Sequence, residues 1–244
     1  MPDSLGWLVL GVAAIVASSF GGVAGFGTGA MMIPALAWVL GPKATVPVLT
    51  VGMFLGNGAR VWFSRGEVNL PVAAAYLVGA IPGGVLGAML YATIDGAWIS
   101  RLLGGFLLAA VPGRHLLAAR GVRIRLAHFP VIGGVFGFLG SLVGGVGPVL
   151  SPFFLGHGLV RGAYIATDAL CTVGTYSTRA LVFHRYQLLT EPIVIVGLYI
   201  GVLMIAGAWI GRRLLDRMSE RAFLRVIEGL LVLFGLQMLL WPVR

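Results

Sequence analysis

Charge is what this sequence has least of, and acid least of all. Of its 244 residues only 10% are charged, and eight are acidic, against about 25% charged in an average soluble domain. So few charges cannot cover a water-facing surface, which excludes an ordinary soluble protein. Cysteine is nearly missing. Cys171 stands alone, so an internal disulfide and a cysteine-bound metal cluster are excluded. No nucleotide-binding motif occurs, and the sequence predicts no cofactor and no metal. The opening Met1 to Ser4 lacks the positive n-region of a cleaved signal, so the apolar run from Leu5 is expected to be a first membrane segment. The alternating strands of a transmembrane β-barrel are missing too.

What is present is apolar. Hydrophobic residues make up 59% of the chain, and the mean hydropathy is +0.99. Segment after segment is long and apolar, which predicts an all-α, polytopic integral membrane protein. The net charge of +9 comes from bases clustered in short loops. That is the positive-inside pattern of membrane proteins, not a nucleic-acid surface.

Glycine is abundant, and it is concentrated. Gly21, Gly22, Gly25, Gly27 and Gly29 crowd one apolar stretch that ends at Pro34. Each glycine in a helix interior costs roughly 1 kcal/mol against alanine, so the sequence predicts an opened backbone there. A second copy runs from Gly140 to Pro152, with Gly140, Gly145, Gly147 and Pro152 spaced like Gly22, Gly27, Gly29 and Pro34. Further pairs follow: Lys43 with Arg161, Arg60 with Arg179, Gly83 and Gly87 with Gly207 and Gly211, and Arg101 with Arg225. An internal repeat therefore covers nearly the whole chain. It divides the chain into a first membrane repeat at 1–112, a basic cytoplasmic linker at 113–128 and a second membrane repeat at 129–244.

Each repeat opens with two short apolar pieces, at 5–20 and 30–40 in the first, of 16 and 11 residues. About 20 are needed to cross a bilayer core, so each pair is expected to be a broken or re-entrant helix pair. Three transmembrane helices follow, at 45–63, 71–91 and 99–112, and again at 163–183, 192–211 and 222–241. If each pair makes zero or two full crossings, the number per repeat is odd and the two repeats are inverted; a single broken crossing would change that parity. With the linker in the cytoplasm, loops 64–69, 159–162 and 212–221 also lie inside, and most of the arginines collect there.

Broken helices at membrane depth are tolerated where they line a cavity, and half-helix N-termini can aim amide N–H groups at an anion. Gly25, Gly27, Thr28 and Gly29 form one candidate cradle, and Gly144, Gly145 and Gly147 the other. Close helix packing is the alternative use of such glycines, and it is the better reading for Gly79, Gly83 and Gly87 and for Gly197, Gly201, Gly207 and Gly211. Arg60 and Arg179 offer forked donors suited to oxyanions, with snorkelling to headgroups as the alternative. Asn57 sits one turn from Arg60. Asp168, Thr172, Thr175 and Arg179 share one helical face. An ionisable residue among apolar neighbours is functional by default, so Asp168 is a candidate proton carrier, a counter-ion for Arg60, or an interfacial carboxylate. Cys171 reads as a small buried apolar residue, and Glu228 with Arg225 as a structural pair. His157 and His184 stand at segment ends. Ser141 raises an intramembrane hydrolase, but Gly140 and Gly144 are out of register with a G-x-S-x-G elbow.

Gly25-Phe-Gly27-Thr-Gly29 through Pro34, and Gly144-Gly-Val-Gly147 through Pro152, resemble the paired glycine stretches of the sulfite exporter TauE/SafE family. Lys43-Ala-Thr45, Arg65-Gly-Glu-Val68 and Ile81-Pro-Gly-Gly-Val-Leu-Gly87 are similar to its later positions. Thr28 departs from the family's glycine, and Pro148 interrupts the second run. The resemblance implies transport of a small sulfur-containing anion (sulfite, sulfoacetate or a related organosulfonate) across a bacterial inner membrane. The expected protein is a multi-pass, non-enzymatic secondary transporter, with a small anion and the bilayer as partners and a homo-oligomer left open. A passive anion channel is the alternative of a different class.

Overall fold

The computed structural model describes residues 2–24, 27–119, 123–159 and 161–214, with 232 and 236. Every regular element among them is helical. The segment 222–241, Arg225 and Glu228 lie outside the described residues or are described only at those two positions, as does Gly25.

Helix α1 (Ser4–Ala24) starts at Asp3, whose carboxylate accepts from the Gly6 amide at 2.7 Å. It is followed by α2 (Thr28–Leu40), α3 (Pro42–Phe63), α4 (Leu70–Thr93) and α5 (Gly96–Ala119). The second series is α6 (Phe129–Val143), α7 (Gly147–Gly156), α8 (Arg161–Arg185) and α9 (Glu191–Leu214). Local chemistry sets several boundaries. Pro42 occupies the first turn of α3, where its missing N–H leaves no bond unmade. Asn69 caps α4 by accepting from the Val72 amide.

Two expectations are corrected in detail. The first opened stretch is shorter than the glycines suggest, because α1 continues through Gly21 and Gly22 to Ala24. The propensity cost is outweighed by packing: a Cβ on Gly21 would collide with the Thr28 hydroxyl. At 21 residues α1 is no longer a short piece. Likewise α5 continues past Pro112 to Ala119, so the first part of the expected linker is helical. Among the described residues, four helical stretches are long and apolar enough to cross a membrane: Ser4–Gly21, Leu70–Thr93, Leu126–Val143 and Glu191–Ile210. The partners α2 and α7, with 13 and 10 residues, are not.

Among the described residues, part of the helix packing survives exchange of the two series, although α2 packs on α1 and α3 far more extensively than α7 does on α6 and α8. The closest pair is α4 with α6, and its counterpart is α9 with α1. Likewise α3 on α9 corresponds to α8 on α4, and α3 meets α8 between them. Glycines allow these approaches. Gly79, Gly83 and Gly87 of α4 leave room only for the backbone of Pro130, Gly134 and Phe138. Gly133 and Gly137 of α6 answer against Tyr76 and Ala80. On the other flank Gly207 of α9 rides on Ile15 and Ser18 of α1, while Gly197 and Gly201 meet α3. These glycines serve packing. The frame they make holds the ends of α1, α2, α6 and α7 at the centre.

Candidate functional site

Both chain breaks turn on a left-handed glycine. Gly27 precedes α2 with φ 97°, and Gly144 ends α6 with φ 77°. Other residue types rarely adopt that backbone. Gly144 satisfies its own N–H on the Gly140 carbonyl at 2.9 Å. At α2, Gly27 supplies no side-chain cap, so the leading amides have to find acceptors elsewhere.

The two breaks touch through their backbones. A Cβ on Gly29 would stand 2.8 Å from the Gly144 carbonyl oxygen, and one on Gly145 would stand 2.6 Å from the Ala30 nitrogen. Both distances are too short for any side chain. Beside this contact lies a cavity of about 60 Å³, room for a few waters or one small oxyanion.

Its wall gathers residues from α2, α3, α4, α6, α7 and α8. Gly27, Thr28 and Gly29 come from the first break, and Gly144, Gly145 and Gly147 from the second. Asn57, Arg60, Asp168, Thr172 and Thr175 complete the polar part, and Met53, Tyr76, Phe136, Leu150 and Tyr176 are among the larger side chains. Arg60 donates from Nη2 to the Thr28 hydroxyl at 3.4 Å, a long bond and the one hydrogen bond of its guanidinium among the described residues. Asn57 donates to the Met53 carbonyl at 2.8 Å, which keeps its side-chain oxygen for the cavity. Thr175 bonds back to Cys171 at 2.8 Å. Asp168 is only 7% exposed and interacts electrostatically with Arg60. Its carboxylate is part of the cavity lining.

Arg179 does not join this wall. It is fully buried, with 0% exposure, and so it neither snorkels nor stands at a mouth. Its Nη1 donates to the Gly140 carbonyl at 2.6 Å, and its guanidinium lies 4.0 Å from the centre of the Tyr176 ring. Cys171 is buried within an apolar cluster. Ser141 is buried, and its hydroxyl has no hydrogen-bond partner among the described residues. Glu67 packs against Gly162, and His157 bonds the Ile124 carbonyl at 2.9 Å.

Met53, Tyr76, Phe136, Leu150 and Tyr176 are wall residues that sequence reasoning missed. Tyr176 carried a signal, because it lies on the same helical face as Thr172 and Arg179. It also falls where Asn57 falls once Arg60 is matched to Arg179.

A helical membrane protein with a small cavity beside two touching helix breaks, lined by an arginine and an aspartate among apolar side chains, fits the class of solute transporters. The chain matches the family model for Sulfite exporter TauE/SafE over residues 10–238 and belongs to that family. It is therefore a membrane transporter of the sulfite and sulfur-anion class, with a small anion as substrate. No curated protein and no solved structure matches it.

Proposed function

We propose that the chain is a secondary transporter that carries a small sulfur-containing anion across the bacterial inner membrane by alternating access. Sulfite, sulfoacetate and related organosulfonates are the substrate class. The observation that carries this reading is the backbone contact between the two breaks beside a cavity lined by both. An anion there meets the first-turn amides of α2, whose dipole end is positive, and the rest of the Arg60 fork. Packing that survives exchange of the two series supports inverted repeats that rock about this point.

Asp168 supplies the coupling. A carboxylate about 5 Å from a bound anion, at an effective dielectric near 20, raises its energy by roughly 3 kcal/mol. Taking up a proton removes that repulsion, so anion and proton travel together. Arg60 keeps the unloaded carboxylate paired.

The test is counterflow in proteoliposomes. Labelled sulfite should accumulate transiently when unlabelled sulfite is loaded on the far side. Currents from single openings with no counterflow would make the protein a channel instead.

A further inference from the structure

A guanidinium is hard to hide. Arg179 is closed to solvent, and a charge taken out of water is stable only when partners replace its hydration. One nitrogen, Nη1, has the Gly140 carbonyl. Nε and Nη2 have no hydrogen-bond partner of acceptable geometry among the described residues. The Tyr176 ring below is attractive to the cation, but a ring face makes up for two unmade hydrogen bonds only in part. Native structures keep such orphaned donors for a reason.

Tyr176 links this orphan to the cavity. It lines the cavity on the side of Asp168 and Thr175, while its ring covers Arg179. Its hydroxyl donates to the Gly144 carbonyl at 3.1 Å, and Gly144 is the left-handed glycine of the second break. A single side chain is therefore wall, cover and tether at once.

We infer that Arg179 is a second oxyanion position, separate from the cavity at Arg60, and that Tyr176 is the gate between them. This rests on the transport reading above. When the second break shifts, the Gly144 carbonyl moves and Tyr176 loses its tether. The ring then swings aside, and the Nε–Nη2 edge of Arg179 presents two parallel donors. That edge fits two oxygens of one sulfite or sulfonate group, whereas a halide has no second oxygen to offer it.

The test uses the full-length protein, with sulfite titrated calorimetrically in detergent and sulfite counterflow measured in proteoliposomes. Arg179→Gln should leave the sulfite Kd within twofold of the wild type and slow counterflow at least tenfold. Arg179→Lys, which keeps the charge but not the fork, should be as slow; wild-type counterflow in it overturns the forked position. Tyr176→Phe keeps the ring and removes the tether, so counterflow should rise at least threefold. That variant decides the matter if the Arg179 variants do not fold. Counterflow at the wild-type rate in Tyr176→Phe overturns the gate and, with it, the access to Arg179 that the second position requires. A loss of sulfite affinity in Arg179→Gln as large as in Arg60→Gln places Arg179 in the first site and overturns the second. A wild-type protein without sulfite counterflow overturns the transport reading and the gate with it.

Discussion

At the scale of single residues, the proposed mechanism assigns the proton to Asp168 and the anion to Arg60. Asparagine at 168 imitates the protonated carboxyl. Asp168→Asn should therefore bind sulfite at neutral and alkaline pH as well as the wild type or better, up to about a hundredfold from the roughly 3 kcal/mol of relieved repulsion. Its transport should no longer respond to an imposed pH gradient. Retained pH coupling in that variant removes Asp168 from the mechanism. Much of this was legible in the sequence, because a carboxylate among apolar neighbours and a threonine-lined helical face stand out. What was not legible is where Arg179 ends up. Its match to Arg60 suggests equal roles, yet one arginine faces a cavity and the other is sealed under a tyrosine. A repeat fixes which residues correspond, and the conformation the molecule adopts then makes them unequal.

At the scale of elements, the ends of the helices are the informative parts. Gly145→Ala places a Cβ against the Ala30 backbone nitrogen, and backbone cannot step aside as a side chain can. Overpacking of this kind costs about 1–3 kcal/mol, which lowers the melting temperature by roughly 2–10 °C in a chain of this size. Sulfite counterflow should fall with it. Gly58→Ala is the control, since a Cβ there meets nothing within 4 Å; it should leave stability unchanged or raise it by up to about 1 kcal/mol. Equal melting temperatures for wild type and Gly145→Ala would dissolve the contact between the breaks. The sequence marked where the breaks lie but overstated the length of the first. Gly21 and Gly22 were weighed by their intrinsic helix cost, and the Thr28 side chain that occupies the space over Gly21 is invisible until the chain is folded.

At the scale of the whole molecule, the proposed inversion of the two series makes a prediction about sidedness. Inverted repeats would place equivalent loops on opposite faces of the membrane. Arg65 and Tyr186 lie in the equivalent loops after α3 and α8, and both are exposed. In a Cys171→Ala background, Arg65→Cys and Tyr186→Cys should react with a membrane-impermeant maleimide from opposite sides of inner-membrane vesicles. Labelling of both from one side would rule out inversion.

The same interlocked packing bears on how the protein is made. The close partner of α1 is not its own neighbour α2 but α9, which is synthesised after nearly all of the intervening chain. At about 5–20 residues per second, the interval between finishing α1 and starting α9 is on the order of 10–30 s. Through that time Ser18 and Ser19, buried or bonded to α9 in the finished protein, sit on an emerging helix with no α9 to receive them. A ribosome stalled before residue 191 thus releases a chain whose first helix has no seat. Docking of α1 on its larger partner therefore waits until residues 191–214 have been made.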